Sequence, residues 1–209
     1  GTWEYQTVNA DLEKIAGYLK LLKDANIPVI WRPLHEAAGG WFWWGKNADS
    51  FKRLWIQMFD YFKAQGLDNL IWVWTTETGD ADWYPGDEYV DWFAYSQFAQ
   101  GRCQAMIDLA RKHGKPLFIA ESTPMFQEKG VVASELRLSN PEQANRAWST
   151  WYKELFNTVE SNPDVVKAFS YINADWPSEA MWQGDTVIFS KIDARLQINP
   201  DITEKWKEK

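Results

Sequence analysis

Apolar residues fall in five short, nearly continuous runs along the chain rather than in alternation with polar residues. Such runs are typical of strands that are buried on both faces of a parallel sheet. They cover residues 27–36, 69–77, 89–95, 116–122 and 165–172. We therefore predict parallel strands at these positions, with only a short connection between the second and the third.

The stretches between these runs repeat apolar residues every three or four positions, which places them on one face of a helix. Helices are predicted over residues 12–24, 51–64, 104–113 and 141–160, with a final amphipathic helix over 201–209. Asn140 directly before Pro141 is a typical helix start. Helices that alternate with parallel strands predict an α/β fold, and no linker or repeat divides residues 1–209, so we expect a single domain.

The composition narrows the choice of partners. The chain has 22 Lys and Arg against 29 Asp and Glu, and its net charge of −7 argues against a nucleic acid or an anionic membrane surface. Cys103 is the one cysteine, so no internal disulfide forms. No apolar stretch is long enough to span a membrane. The 15 tryptophans are unusual in a chain with a mean hydropathy of −0.48, so we expect some indoles to do more than fill a core.

Ionisable side chains collect where the predicted strands end. His35 and Glu36 close the first run, Glu77 the second, Glu121 the fourth, and Asp175 follows the fifth. The carboxyl ends of parallel strands are where (β/α)₈ barrels and open sheets build their sites. No glycine-rich phosphate loop follows a strand, which disfavours a nucleotide-binding sheet.

The segment 31–45 is the densest in candidate chemistry. Glu36 is followed by two glycines and then by four consecutive aromatics, Trp41 to Trp44. Four adjacent rings cannot all enter one core, so we expect some of them to line a cleft beside the carboxylate. Indoles stack on the C–H faces of sugars, which makes a sugar the expected ligand. The alternative is a structural tryptophan cluster under a loop, with Glu36 as an ordinary solvated carboxylate.

A metal or cofactor is not predicted. His35 and Glu36 lack the second histidine of H-E-x-x-H, and His113 lies late in a helix. We expect His35 to orient a carboxylate or hold a substrate hydroxyl, unless it is a core histidine. The acidic loop 80–88 offers oxygen ligands for calcium, but we favour a solvated loop.

Glu121 ends a short apolar strand and is the natural partner of Glu36. A carboxylate at such a position is costly to desolvate unless it is paired or hydrogen-bonded, which favours a functional role, and the alternative is a purely structural carboxylate. Two carboxylates on two strands within an aromatic cleft match the requirements of glycoside hydrolysis.

These residues also resemble a known family. Arg-Pro-Leu-His-Glu at 32–36 and Gly-Trp-Phe-Trp-Trp-Gly at 40–45 resemble the signature of glycoside hydrolase family 26, which endo-β-1,4-mannanases dominate. Residues 84–91 and the strand that ends in Glu121 are similar to later family segments. The resemblance implies a (β/α)₈ TIM barrel, present here only as strands four to eight, with strands one to three missing from the N-terminus. It makes Glu36 the acid/base and Glu121 the nucleophile.

The resemblance also implies a set of substrate-binding residues. It places Arg32, His35, Trp41 and Trp176 around the sugar beside the scissile bond, and we add Trp44 from the same aromatic segment. The family usually has a tyrosine near the end of strand six that hydrogen-bonds the nucleophile. Here Phe98 holds that position and Tyr95 lies three residues earlier. We expect Tyr95 to substitute; otherwise the bond is absent.

The function implied is that of a retaining endo-acting hydrolase of β-1,4-mannan, secreted or on the cell surface and monomeric at full length. No cofactor is expected, and the partner is a polysaccharide or oligosaccharide. Three alternatives stay open: another β-glycan hydrolase, acting on mixed-linkage β-1,3-1,4-glucan or β-1,3-xylan; a non-catalytic carbohydrate-binding protein; and tryptophans that serve a protein interface. An incomplete barrel leaves open sheet edges, so residues 1–209 are not expected to be stable alone.

Overall fold

The computed structural model describes residues 1–77, 79–98, 103–125, 127–128, 131–132, 135–183 and 188–209. They form two compact units. The first contains residues 1–94 and 113–115, and the second contains 95–112 and 116–209. The boundary falls between Ala94 and Tyr95, within one strand.

The first unit contains two helices and the parallel strands between them. In chain order its elements are α1 (Trp3–Asp24), β1 (Val29–Trp31), α2 (Ala48–Ala64), β2 (Leu70–Thr75) and the first half of β3 (Trp92–Gln97). Strand β1 pairs with β2, and β2 pairs with β3, both in parallel. Each helix begins at a side-chain cap, Thr2 for α1 and Asn47 for α2.

The core of the first unit lies between α2 and β2. Phe51, Trp55, Met58 and Phe62 are buried on one face of α2, at the spacing that a helix requires. The rings of Trp55 and Phe62 contact that of Trp72 on β2, with centroids 5.7 and 6.0 Å away. This packing fixes β2 and the loop that follows it.

The second unit contains the second half of β3 and the rest of the chain. Its elements are α3 (Cys103–His113, whose last residue belongs to the first unit), β4 (Leu117–Ser122), β5 (Gln127–Glu128), β6 (Val131–Val132), β7 (Leu136–Arg137), α4 (Pro141–Ala147), α5 (Lys153–Ser161), β8 (Val166–Phe169), β9 (Ile192–Asp193) and α6 (Pro200–Lys207). Strand β4 pairs in parallel with β8, and β7 pairs in parallel with β9. The Thr123 amide donates to the Gln97 carbonyl, so β4 continues beside β3.

The predicted helices are all present, some with different bounds. Helix α1 begins at Trp3, well before the predicted start, and a π-helical turn at Trp148–Tyr152 joins α4 to α5. The predicted final helix is α6. None of the helices within the described ranges is long and apolar enough to cross a membrane.

The first predicted strand is wrong in extent and in burial. The apolar run predicts a strand over 27–36, but β1 ends at Trp31, because Pro33 cannot donate a hydrogen bond to a neighbouring strand. Ile30 is 45% exposed, and among the described residues β1 pairs with β2 alone. Several exposed apolar side chains lie on β1, on the second half of α1 and between the two, and we call these five the apolar edge: Tyr18, Leu21, Leu22, Ile27 and Ile30.

Candidate active site

Glu36 lies in a tight turn five residues beyond the end of β1. Leu34 and Glu36 have φ angles of +50° and +54°, in the left-handed region that non-glycine residues rarely adopt. Residues 32–36, which the apolar run predicts as the end of the first strand, are therefore not extended strand. Strained backbone of this kind persists only where the surroundings enforce it, and it concentrates at functional sites.

Contacts on both sides enforce the turn. The Trp44 indole Nε1 donates to the His35 carbonyl at 2.9 Å, and the Gly39 amide donates to the Glu36 carbonyl at 3.2 Å. Gly45 lies so close to Ala37 that a Cβ on it would overlap the Ala37 carbonyl oxygen. The backbone of Glu36 is thus fixed by its neighbours in sequence and by the aromatic segment.

The four aromatics 41–44 alternate between inner and outer positions. The rings of Phe42 and Trp44 stack at 4.3 Å, and the His35 ring packs against them at 4.8 and 5.9 Å. Trp41 and Trp43 are 58% and 63% exposed. The inner rings support the turn, and the outer indoles offer flat faces to a ligand, as the run of four aromatics predicts.

Arg32 follows β1 directly and is fixed at the end of β2. Its Nε donates to the Thr75 hydroxyl at 2.8 Å, and Thr75 is the last residue of β2. The guanidinium is therefore held at the carboxyl end of a parallel strand, where the sequence predicts the site.

The loop after β2 contains a buried carboxyl that sequence reasoning missed. Asp80 accepts a hydrogen bond from the Thr76 hydroxyl at 2.9 Å and one from the Glu77 amide at 2.5 Å. Burial raises the pKa of Asp80 to about 6, although both hydrogen bonds act in the opposite direction. The expectation of a solvated loop is therefore wrong at Asp80.

The rest of this loop is held by Asp87. Its carboxylate accepts from the Tyr84 hydroxyl at 2.5 Å and meets the His113 Nδ1 at 2.9 Å. The Tyr84 hydrogen bond, with the neighbouring His113, lowers the pKa of Asp87. Within the described ranges, no group of three or more His, Cys, Asp or Glu side chains is arranged to hold a metal ion.

Glu121 lies near the carboxyl end of β4 in the second unit. It alternates with Leu117 and Ile119, which are fully buried, and its own side chain is half-buried. The Ser122 hydroxyl donates to the Ser170 carbonyl at 2.6 Å and joins the end of β4 to the chain that follows β8. Glu121 thus occupies the strand-end position that the sequence predicts.

Tyr95 lies within β3 and is buried. Its hydroxyl donates to the Gln97 Oε1 at 2.9 Å. Gln97, which is also buried, gave no signal in the sequence, because a single amide within an apolar strand has no characteristic spacing.

Trp176 begins a short 3₁₀ turn after β8. Its ring packs against Phe189 at 4.6 Å and Trp182 at 5.4 Å. Sequence reasoning missed both partners, because contacts between rings on one irregular segment leave no periodic pattern.

The predicted site residues divide between the two units. Arg32, His35, Glu36, Trp41 and Trp44 lie together in the first unit, and Tyr95, Glu121 and Trp176 lie in the second.

Comparison with known proteins identifies the family. The glycosyl hydrolase family 26 profile matches residues 1–169, which include the Glu36 turn and β4. The chain belongs to glycosyl hydrolase family 26. Family membership confirms the resemblance read from residues 32–45.

The relatives of this family 26 chain include more than one specificity. It is 37% identical to a mannan endo-1,4-beta-mannosidase of Thermothelomyces thermophilus, over 78% of this chain and 34% of that protein. It is 30% identical to a beta-1,3-xylanase of an Alcaligenes species, over 96% of this chain and 45% of that protein. The chain spans about half the length, or less, of these relatives.

A solved structure of a Bacillus subtilis mannanase matches with a TM-score of 0.64 and 28% identity, over 93% of this chain and 55% of that one. The parallel strands and helices of the family 26 chain fit part of a TIM barrel.

Proposed function

We propose that this family 26 chain carries the catalytic carboxylates of a retaining hydrolase of β-1,4-mannosidic bonds. The placement of Glu36 carries the proposal. Its backbone is strained, it is held by Trp44, and it is followed by two exposed indoles. That combination suits a catalytic group beside a sugar better than a solvated surface carboxylate.

The reaction proceeds in two displacements. Glu36 enters protonated and gives its proton to the glycosidic oxygen, while ionised Glu121 attacks the anomeric carbon and the bond to the leaving sugar breaks. The product of this step is a glycosyl ester of Glu121. Glu36, now ionised, takes a proton from water, whose oxygen displaces the ester, so Glu121 is regenerated and the configuration is retained.

The remaining residues bind and orient the sugar. Trp41 and Trp176 supply ring faces, while Arg32 and His35 supply polar contacts. Trp44 acts through the turn, because its indole is engaged with the His35 carbonyl. Tyr95 is the proposed counterpart of the family's strand-six tyrosine. Its hydroxyl proton is donated to the Gln97 Oε1 in this structure, so a hydrogen bond from Tyr95 to Glu121 requires that proton to be redirected.

Substitution of each carboxylate tests the mechanism. In the full-length protein, Glu36→Ala and Glu121→Ala should each lower kcat on soluble mannan by about 10³-fold, the scale of a lost acid, base or nucleophile. Azide should restore turnover in Glu121→Ala, and proton NMR of wild-type products should show the retained anomer. Glu13→Ala, at an exposed position on α1, is the control and should leave kcat unchanged. Hydrolysis that survives in both variants would refute these roles, and a wild-type protein that binds mannan without hydrolysing it would be a carbohydrate-binding protein.

A second candidate substrate is β-1,3-xylan. The beta-1,3-xylanase of the Alcaligenes species aligns over 96% of this chain, against 78% for the Thermothelomyces mannosidase. Comparing kcat/KM on mannan, β-1,3-xylan and mixed-linkage glucan decides between them. A higher kcat/KM on β-1,3-xylan than on mannan would make β-1,3-xylan the proposed substrate.

The barrel is completed by strands one to three, which lie outside residues 1–209. Two observations support this: the chain covers only part of its relatives, and the apolar edge leaves Ile30 exposed on β1. A polysaccharide is too large to enter a cell, so an enzyme that acts on it works outside the cell. We therefore propose that the full-length protein is secreted or lies on the cell surface. We also propose that it is a monomer.

A further inference from the structure

Two distant segments of the second unit are joined around Trp176. The Asp175 carboxylate meets the Arg195 guanidinium at 3.1 Å, and the same guanidinium binds Asp193 through two nitrogens at 2.7 and 2.8 Å. We call Asp175, Asp193 and Arg195 the arginine clamp. A two-nitrogen pairing of arginine with a carboxylate is among the strongest side-chain hydrogen-bond arrangements.

Backbone contacts align the same two segments. Asp175 and Asp193 form an antiparallel bridge, and the Ala194 amide donates to the Ala174 carbonyl at 3.2 Å. The Leu196 amide donates to the Asn173 side chain at 2.8 Å. The clamp therefore closes a contact that the backbone has already brought into register.

One side of the clamp is firmly anchored. Asp193 is 6% exposed and lies on β9, which pairs with β7. Hydrogen bonding from Arg195 lowers the pKa of Asp193, which keeps this carboxylate ionised. Arg195 thus transmits the fixed position of β9 to Asp175.

Trp176 needs such an anchor. Its Nε1 is buried and has no hydrogen-bond partner within the described ranges. The position of its ring therefore depends on the rings of Phe189 and Trp182 and on the backbone at Asp175. Asp175 precedes Trp176 directly, and its carbonyl accepts the Ser178 amide at 3.0 Å, which shapes the turn.

The geometry assigns Arg195 as a positioning residue that fixes the sugar-binding face of Trp176 through Asp175. The assignment rests on the proposed function for its effect on hydrolysis, but the placement of the Trp176 ring is measurable without any substrate.

The first measurement uses no substrate. In full-length protein labelled with 5-fluorotryptophan, the ¹⁹F resonance of Trp176 is the one that disappears in Trp176→Phe. Arg195→Gln should shift or broaden this resonance, and Arg195→Lys should do so less. Arg111→Gln is the matched control, because Arg111 also binds an aspartate, Asp164, through two nitrogens at 2.9 Å in the same unit. An unchanged Trp176 resonance in Arg195→Gln would overturn the assignment.

The second measurement uses activity on a mannan oligosaccharide. Arg195→Gln and Asp175→Asn should each lower kcat/KM by about tenfold, while the melting temperature falls no further than in Arg111→Gln. In a Trp176→Ala background, Arg195→Gln should lower kcat/KM by less than about threefold, since the ring it positions is gone. Fully multiplicative effects would overturn the assignment. If the wild type hydrolyses no glycan but the resonance still responds to Arg195→Gln, the proposed function has failed and the positioning role stands.

Discussion

At the scale of single residues, close packing around Glu36 leaves no room for a side chain at Gly45, and a side chain at Gly39 would require the exposed Trp41 ring to move. A Cβ on Gly39 would overlap the Trp41 ring, and a Cβ on Gly45 would overlap the Ala37 carbonyl. Gly45 ends the second motif that carries the family resemblance, and Gly39 directly precedes that motif. Their role follows from the room that the turn leaves, because a side chain in either place would push the backbone of Glu36 or the outer indole out of position.

Gly45→Ala tests this reading. We expect the free energy of unfolding to fall by about 1–3 kcal/mol, the usual effect of overpacking a close contact. We also expect kcat to fall, because Ala37 adjoins Glu36. Denaturant unfolding and kcat on mannan are the measurements.

Gly17→Ala is the control for that variant. Gly17 is exposed on α1, and a Cβ there meets nothing within 4 Å. The Gly17→Ala substitution should leave kcat unchanged and raise the free energy of unfolding by up to about 1 kcal/mol. Equal losses in both variants would show that the Gly45 contact has no special role.

The sequence predicts only some of the residues of the candidate site. Glu36, Glu121 and the aromatic run stand out because their residue types adjoin predicted strand ends. The positive φ of Glu36 is local strain, and the link from Arg195 to Asp175 joins residues on separate segments of the chain. Neither feature can be predicted from residue composition or spacing.

At the scale of elements, the sequence predicts the buried face of α2 more accurately than it predicts strand β1. The face of α2 appears directly in the spacing of its buried residues, because a helix is built from local contacts. Strand β1 depends on a partner strand and on Pro33, so an apolar run of ten residues gave only Val29–Trp31. The π-helical turn inside 141–160 shifts the buried face by one residue, which the periodicity of a short stretch does not resolve.

The loop after β2 gives a prediction for pH. Burial raises the pKa of Asp80 from 3.8 to about 6, so the folded protein holds this proton more tightly than the unfolded chain. Between about pH 4 and 6 the folded state therefore binds more protons, and the free energy of unfolding falls as pH rises. A rise in pKa from 3.8 to about 6 lowers the free energy of unfolding by no more than about 3 kcal/mol over this range.

Asp80→Asn removes the titrating group and should flatten this slope. Urea unfolding at several pH values from 4 to 7, compared between wild type and variant, measures the difference. Asp82→Asn, at an exposed position in the same loop, is the control. A wild-type stability that rises from pH 4 to 6 relative to Asp80→Asn would contradict the burial argument.

At the scale of the whole molecule, the apolar edge is a surface that further polypeptide is expected to cover. Ile30 on β1 is 45% exposed, and this strand pairs on one side only within the described residues. Leu21 on α1 is 67% exposed. An open strand edge beside apolar side chains favours pairing with another chain. Further strands of a barrel would satisfy both the edge and the side chains.

Ile30→Asp in the full-length protein tests this idea. If barrel strands cover Ile30, the variant buries an unpaired charge and should destabilise the protein by about 3 kcal/mol or more. Met181→Asp, at a position 76% exposed, is the control and should have little effect. The isolated chain 1–209 should associate or unfold without cooperativity, as measured by light scattering and urea; a cooperatively unfolding monomer would contradict the proposal.

The arginine clamp also has a consequence for where this chain can accept insertions. It ties together the two ends of the segment 176–194, and Trp176 stands at one of those ends. When the ends of a loop are held, doubling its length costs only about 0.6 kcal/mol in closure entropy. Insertions between the ends that spare Trp182 and Phe189 can therefore reshape the neighbouring surface while Trp176 keeps its place, so we expect changes there to alter sugar binding without disturbing the proposed catalytic carboxylates.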